Sequence, residues 1–70
     1  MTIQEALKRN LRRLMYEREM SAATLSRLTG ICPNTVYYIV NGKVNTSLAN
    51  AHKIAKIFGV TIDELIKGAD

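Results

Sequence analysis

The sequence predicts an all-α fold, one small five-helix domain over residues 1–70, and three observations carry that prediction. Apolar residues recur at spacings of three and four, without the strict alternation of a half-buried strand. Most of these stretches are bracketed by helix punctuation, a Ser or Thr before them and a Gly or Asn after them. The chain is 47% apolar, with one cysteine and one histidine. At this size a core usually needs a disulfide, a metal, a partner chain or dense helix packing. A lone cysteine excludes an internal disulfide and a lone histidine argues against zinc, which leaves dense helical packing, aided by dimerisation.

Thr2 followed by Glu5 forms a capping box, and Leu7, Leu11 and Leu14 continue at helical spacing, so helix 1 is expected over Ile3 to Glu19. Lys8, Arg9, Arg12 and Arg13 fall on its other faces as a solvated surface, with Glu5 and Arg9 spaced for an i,i+4 pair. Ser21 caps helix 2, about 22–29, whose apolar positions are Leu25 and Leu28 and whose end is Gly30. Pro33 fits the first turn of helix 3, about 33–40, and Asn41-Gly42 ends it. Lys43, Val44 and Asn45 form a loop. Thr46 or Ser47 opens helix 4, with Leu48, Ala51, Ile54, Ala55 and Phe58 as the buried stripe and Gly59 as the stop. Thr61 with Glu64 is a second capping box, with Val60 and Leu65 placed as a hydrophobic staple, so helix 5 is expected over Ile62 to Lys67. Gly68, Ala69 and Asp70 are expected to fray.

From Met20 to Ile62 the chain runs 43 residues without an Asp or Glu, and its net charge is +4. A surface cleared of carboxylates and dotted with Ser, Thr, Asn, Lys and Arg suits contact with a polyanion. No apolar run is long enough for a signal peptide or a membrane span, and an unpaired thiol fits a reducing, cytoplasmic setting. No paired carboxylates, nucleophile beside a base, or glycine-rich phosphate loop points to an enzyme, and no cofactor, metal site or small-molecule effector is indicated. His52 reads as a helix-surface residue. At this length no separate effector or catalytic domain is expected.

Helices 2 and 3 can cross closely if a small residue faces the crossing and the turn holds a residue free of side-chain penalty; Ser26 and Gly30 meet both demands. Ile31, Val36 and Ile39 then anchor the turn and the second helix. At about 100° per residue, Cys32, Val36, Ile39 and Val40 fall on one side of helix 3, with Cys32 as a small buried hydrophobe. Asn34, Tyr37, Tyr38 and Asn41 fall on the other. That outer face is polar, aromatic and uncharged, and can offer hydrogen bonds to base edges without repelling phosphates.

With these features the stretch from Ser21 through Thr29-Gly30-Ile31 to Asn41-Gly42-Lys43 resembles the phage repressor and Cro family of helix-turn-helix regulators. The likeness continues through helix 4 to Phe58-Gly59-Val60-Thr61-Ile62-Asp63-Glu64-Leu65-Ile66. The resemblance implies a lambda-repressor-like five-helix bundle that binds operator DNA as a homodimer, helix 3 in the major groove and helix 2 across the backbone. Three departures stand out. Ala22 replaces a Gln that touches phosphate in many members, so that contact is either lost or taken over by Ser21 or Thr24. Met15 and Val40 replace an Arg–Glu pair, a joint change that leaves no stranded charge. Thr46 replaces a common proline before helix 4.

Asn34, at the second position of helix 3, is the first candidate for a base contact, because an Asn amide can pair with adenine N6 and N7. Its alternative is to cap its own helix. Tyr38 can meet a thymine methyl or donate its hydroxyl, Tyr37 reaches toward the backbone, and Thr35 and Pro33 add apolar contact at the rim. The resemblance makes Asn41, Lys43 and Ser47 phosphate binders, with Asn45 beside them, although turn and cap chemistry also favours these residues. The expected function is a sequence-specific DNA-binding regulator, a repressor acting by operator occupancy. The alternatives are a protein-interaction module on the same fold, such as an antirepressor or antitoxin, and the DNA-binding domain of a longer repressor. Ile57 and Ile66 are expected at the dimer surface because they exceed what one core needs.

Overall fold

The computed structural model describes residues 1–70 throughout. Five helices follow one another: α1 (Ile3–Glu17), α2 (Ala22–Thr29), α3 (Pro33–Val40), α4 (Leu48–Phe58) and α5 (Ile62–Leu65). Helix α1 packs against α3 and α5, α2 against α3 and α4, and α4 against α5. Leu7, Leu11, Leu25, Val36, Ile39, Ile54 and Leu65 are fully buried at the centre. Burying a side chain of this kind contributes roughly 1.5–3 kcal/mol. Met15 is buried and Val40 packs against the same cluster, so both members of the apolar pair serve the core. No helix is long and apolar enough to cross a membrane.

The capping residues act as the sequence predicts. The hydroxyls of Thr2, Ser21, Ser47 and Thr61 each accept from the backbone N–H three residues on, with both capping boxes formed. Ser47, rather than Thr46, opens α4. Val60 packs against the core beside buried Leu65, where the staple places it.

Several expectations are corrected. Helix α1 ends at Glu17 and not at Glu19, because Glu19 adopts a left-handed backbone (φ 51°). The Glu19 N–H donates to the Tyr16 carbonyl at 3.1 Å and the Met20 N–H to the Met15 carbonyl at 2.9 Å, a Schellman closure made without glycine. Helix α5 stops at Leu65, and residues 68–70 are tied down, since the Asp70 N–H donates to the Met1 carbonyl at 2.8 Å. Glu5 and Arg9 do not pair: the Glu5 carboxylate accepts from the Thr2 N–H, and Arg9 donates to the Lys67 carbonyl at 3.0 Å. Leu48 is 75% exposed because the apolar stripe of α4 begins one turn before the helix meets the bundle, at buried Ala51. Leu28, in the last turn of α2, is exposed as well. Ile57 and Ile66 pack partly against the core, so less of their surface is surplus than expected.

Candidate nucleic-acid interface

The crossing of α2 and α3 is built from hydroxyls. Ser26 is buried in α2 and its Oγ donates to the Ile31 carbonyl. The Thr29 hydroxyl donates to the Leu25 carbonyl at 2.7 Å and accepts from the Ile31 N–H at 3.2 Å. Between them Gly30 takes φ 75°, and a Cβ added there would meet nothing within 4 Å. The left-handed backbone is therefore the reason for glycine at this turn; crowding is not.

Val36 and Ile39 fix α3 to the core, leaving Pro33, Asn34, Tyr37 and Tyr38 exposed, with Thr35 half-buried between the two sides. The Asn34 amide makes no hydrogen bond inside the molecule, so the self-capping alternative is not realised. The rings of Tyr37 and Tyr38 meet edge to face with centroids 6.1 Å apart. That contact restrains two exposed aromatics that solvent would otherwise leave free to turn. In the first turn Cys32 supplies no side-chain cap, Pro33 has no N–H, and the backbone N–H groups of Asn34 and Thr35 stay open. The positive end of the helix dipole and two donors thus point outward together.

Cys32 is exposed, contrary to the expectation that it turns inward. It is the residue that caps α3, with an extended backbone (φ −52°, ψ 136°), so the 100° helical rotation does not apply to it. Asn41 also has a structural role: its Nδ2 donates to the Tyr37 carbonyl at 2.8 Å and its Oδ1 accepts from Arg12, so the amide helps to close α3. Arg12 itself is not simply solvated, for its Nε donates to the Val40 carbonyl at 3.1 Å.

Further polar groups surround α3. Lys43, Asn45 and Ser47 are exposed in the segment leading into α4, where the N-terminal backbone amides of Leu48 and Ala49 have no partner. Ser21 and Thr24 hydrogen bond to each other at the start of α2. The ion pairs of the molecule are Met1–Asp70 and Arg13–Glu17, so Arg27, Lys43, Lys53 and Lys56 carry uncompensated charge. The exposed part of the acid-free segment therefore carries free cations and neutral donors, with Glu17 and Glu19 near Ser21 and Asp63 near Lys56 at its margins.

A family model described as the Cro/C1-type helix-turn-helix DNA-binding domain matches residues 10–68. The chain belongs to this family. As a Cro/C1-type domain it is a DNA-binding regulator, and its all-helical fold agrees with that membership. No curated protein and no solved structure matches the chain significantly. The match takes in α2 to α5, the part of α1 that carries Asn10 and Arg12, and the residue that caps it, Arg18; the roles of these three were not legible in the sequence. Asn10 is buried and donates to the carbonyls of Leu65 and Lys67, while Arg18 donates to that of Phe58. Nothing in local spacing links residues so far apart; the signal available was only that polar residues interrupt α1 at helical intervals.

Proposed function

We propose that this Cro/C1-type domain is a repressor that reads duplex DNA with the outer face of α3 and acts by occupying its operator as a homodimer. The observation that carries the reading is the state of Asn34: an exposed amide, free of internal bonds, near the leading end of an eight-residue helix whose outer face holds no charge. Eight residues span about 12 Å, close to the width of a major groove. Asn34 and Tyr38 supply the base contacts, with Pro33, Thr35 and Tyr37 at the rim. Lys43, Ser47, Asn45, Ser21 and Thr24 hold phosphates, and the open amides at the start of α4 add to the anion site. Asn41, whose amide helps to close α3, shapes the end of the helix.

The dimensions of one copy support the homodimer reading. Half-sites one helical turn apart stand about 34–36 Å from each other. The molecule measures 30 Å along its longest axis, so two copies on one face of the duplex lie almost in contact. Repression is then exclusion: a dimer covering both half-sites keeps polymerase or an activator off the same DNA.

The test is selection of bound duplexes from a random pool. A repressor of this kind recovers a palindrome whose half-sites are about one turn apart. Recovery of no enriched sequence, alongside tight capture of an exposed tyrosine pair by a protein partner, contradicts the proposal.

A further inference from the structure

The C-terminal end of α3 leaves four backbone carbonyls to be satisfied, and the chain closes three of them locally. The Tyr37 carbonyl accepts from the Asn41 N–H at 3.1 Å and from its side-chain amide. The Tyr38 carbonyl accepts from the Lys43 N–H at 2.9 Å, and that of Ile39 from the Gly42 N–H at 3.1 Å. Val40 is the remainder, and its carbonyl is met from another helix, by Arg12 of α1. The same guanidinium reaches the Asn41 side chain through Nη2, so one planar fork holds the last helical carbonyl and the residue that turns the chain out of the helix. No ion pair ties α1 to α3, and Arg12 is exposed, so this is a polar clamp and not a piece of the core.

We infer that Arg12 is a positioning residue for DNA reading: by holding Val40 and Asn41 it sets the register of the α3 tyrosines and the direction of Lys43. The inference rests on the proposed reading of DNA by α3. Its logic is electrostatic as well as geometric. Anchoring a recognition helix with a carboxylate would place negative charge beside phosphates, whereas a guanidinium on a carbonyl anchors it with a cation. That cation also sits at the negative end of the helix dipole, where it is favoured. The tyrosines are linked to the clamp directly, since the Tyr37 carbonyl accepts from the Asn41 backbone and side-chain amides and the Tyr38 carbonyl accepts from the Lys43 N–H of the capped turn. Gly42 lies against the Lys8 side chain, where an added Cβ would come within 3.1 Å of it, so α1 also limits the path of the turn.

The experiment compares wild type with Arg12→Met, which keeps the aliphatic stem, and Arg12→Lys, which keeps the charge. Affinity is measured for the best selected duplex and for a scrambled one, with amide hydrogen exchange of Gly42 and Lys43 in the free protein. Loss of a charge-assisted hydrogen bond predicts about a tenfold loss for the selected duplex in Arg12→Met. The scrambled duplex loses less than about twofold, exchange at Gly42 and Lys43 accelerates, and Arg12→Lys recovers part of the loss. Asn41→Ala gives the same pattern, and combining it with Arg12→Met adds little, as expected of partners in one network. Equal loss on both duplexes makes Arg12 a phosphate contact and overturns the inference. Lower thermal stability with an unchanged affinity ratio makes it merely structural and also overturns it. A wild type that distinguishes no duplex from another defeats the reading beneath the inference, and exchange rates unmoved by Arg12→Met defeat the clamp itself.

Discussion

The side-chain amide of Asn10 in α1 donates to the carbonyl of Leu65 at 2.8 Å, joining two residues 55 positions apart at the end of α5. The same nitrogen donates to Lys67 at 3.0 Å, and Arg9 meets that carbonyl from outside. Arg12 does the equivalent for α3 and Arg18 for α4, the latter with its guanidinium 5.6 Å from the centre of the Phe58 ring. Helix α1 therefore buries its leucines in the core while its polar residues and its C-cap Arg18 close the C-terminal ends of three other helices. Orphan carbonyls and helix dipoles are satisfied in the same step.

Asn10→Leu tests this directly, because Asn10 is only 5% exposed and Leu is close to it in size. The substitution leaves the carbonyls at the end of α5 short of a buried donor, which costs about 1–3 kcal/mol. Chemical denaturation should show a lower midpoint with an unchanged slope; a midpoint equal to wild type contradicts the role.

Glu19→Gly should stabilise the domain. Glu19 holds φ 51° to close α1, a conformation that costs a residue with a Cβ on the order of 1 kcal/mol and glycine very little. Part of the gain is offset by the greater freedom of glycine in the unfolded chain, so a net rise of about 0.5 kcal/mol is expected in denaturant melts. A loss of stability would mean that the carboxylate has a favourable contact elsewhere.

Acid should loosen the start of α1. The Glu5 pKa is lowered chiefly by the hydrogen bond from the Thr2 backbone N–H and next by the Thr2 side chain; desolvation opposes them, and the terminal ammonium and Lys8 add to the lowering. A carboxyl depressed in the folded state stabilises it above its unfolded pKa, and that contribution is lost as pH falls through the folded value. Below the ordinary glutamate range the Ala6 and Leu7 amides should therefore lose protection before those around Leu11, and Glu5→Gln should remove most of the difference. Uniform loss along α1 would contradict the assignment.

Cys32 offers a reporter that needs no substitution, being exposed at the leading end of α3. A maleimide should label it readily in the free protein, and saturating duplex DNA should slow labelling by an order of magnitude or more. Labelling unaffected by bound DNA would place the contact surface elsewhere.

The helix-turn-helix was legible in the sequence because its signals are local. Ser21, Gly30, Pro33 and Gly42 each act within a few residues, and α2 and α3 lie where those residues set them. The outward direction of Asn34, Tyr37 and Tyr38 follows from the inward direction of Val36 and Ile39, again within two turns. What spacing could not supply was long-range. Arg12, Arg18 and Asn10 look like ordinary surface positions until α3, α4 and α5 bring their carbonyls alongside. Cys32 misled because rotation was extended one residue beyond the helix, and Leu48 because periodicity cannot say where a stripe leaves the bundle.

The central claim is that α3 reads bases while the loop after it grips phosphate, and comparing Asn34→Ala with Lys43→Ala on selected duplexes and their single-base variants, over a range of salt, tests it most directly. Asn34→Ala should lose about 1–3 kcal/mol on the selected duplex and relax preference at one base pair, with the salt slope unchanged. Lys43→Ala should weaken every sequence alike and reduce the salt slope by about one unit. If both variants weaken all sequences equally, or Asn34→Ala leaves sequence preference intact, the account is wrong.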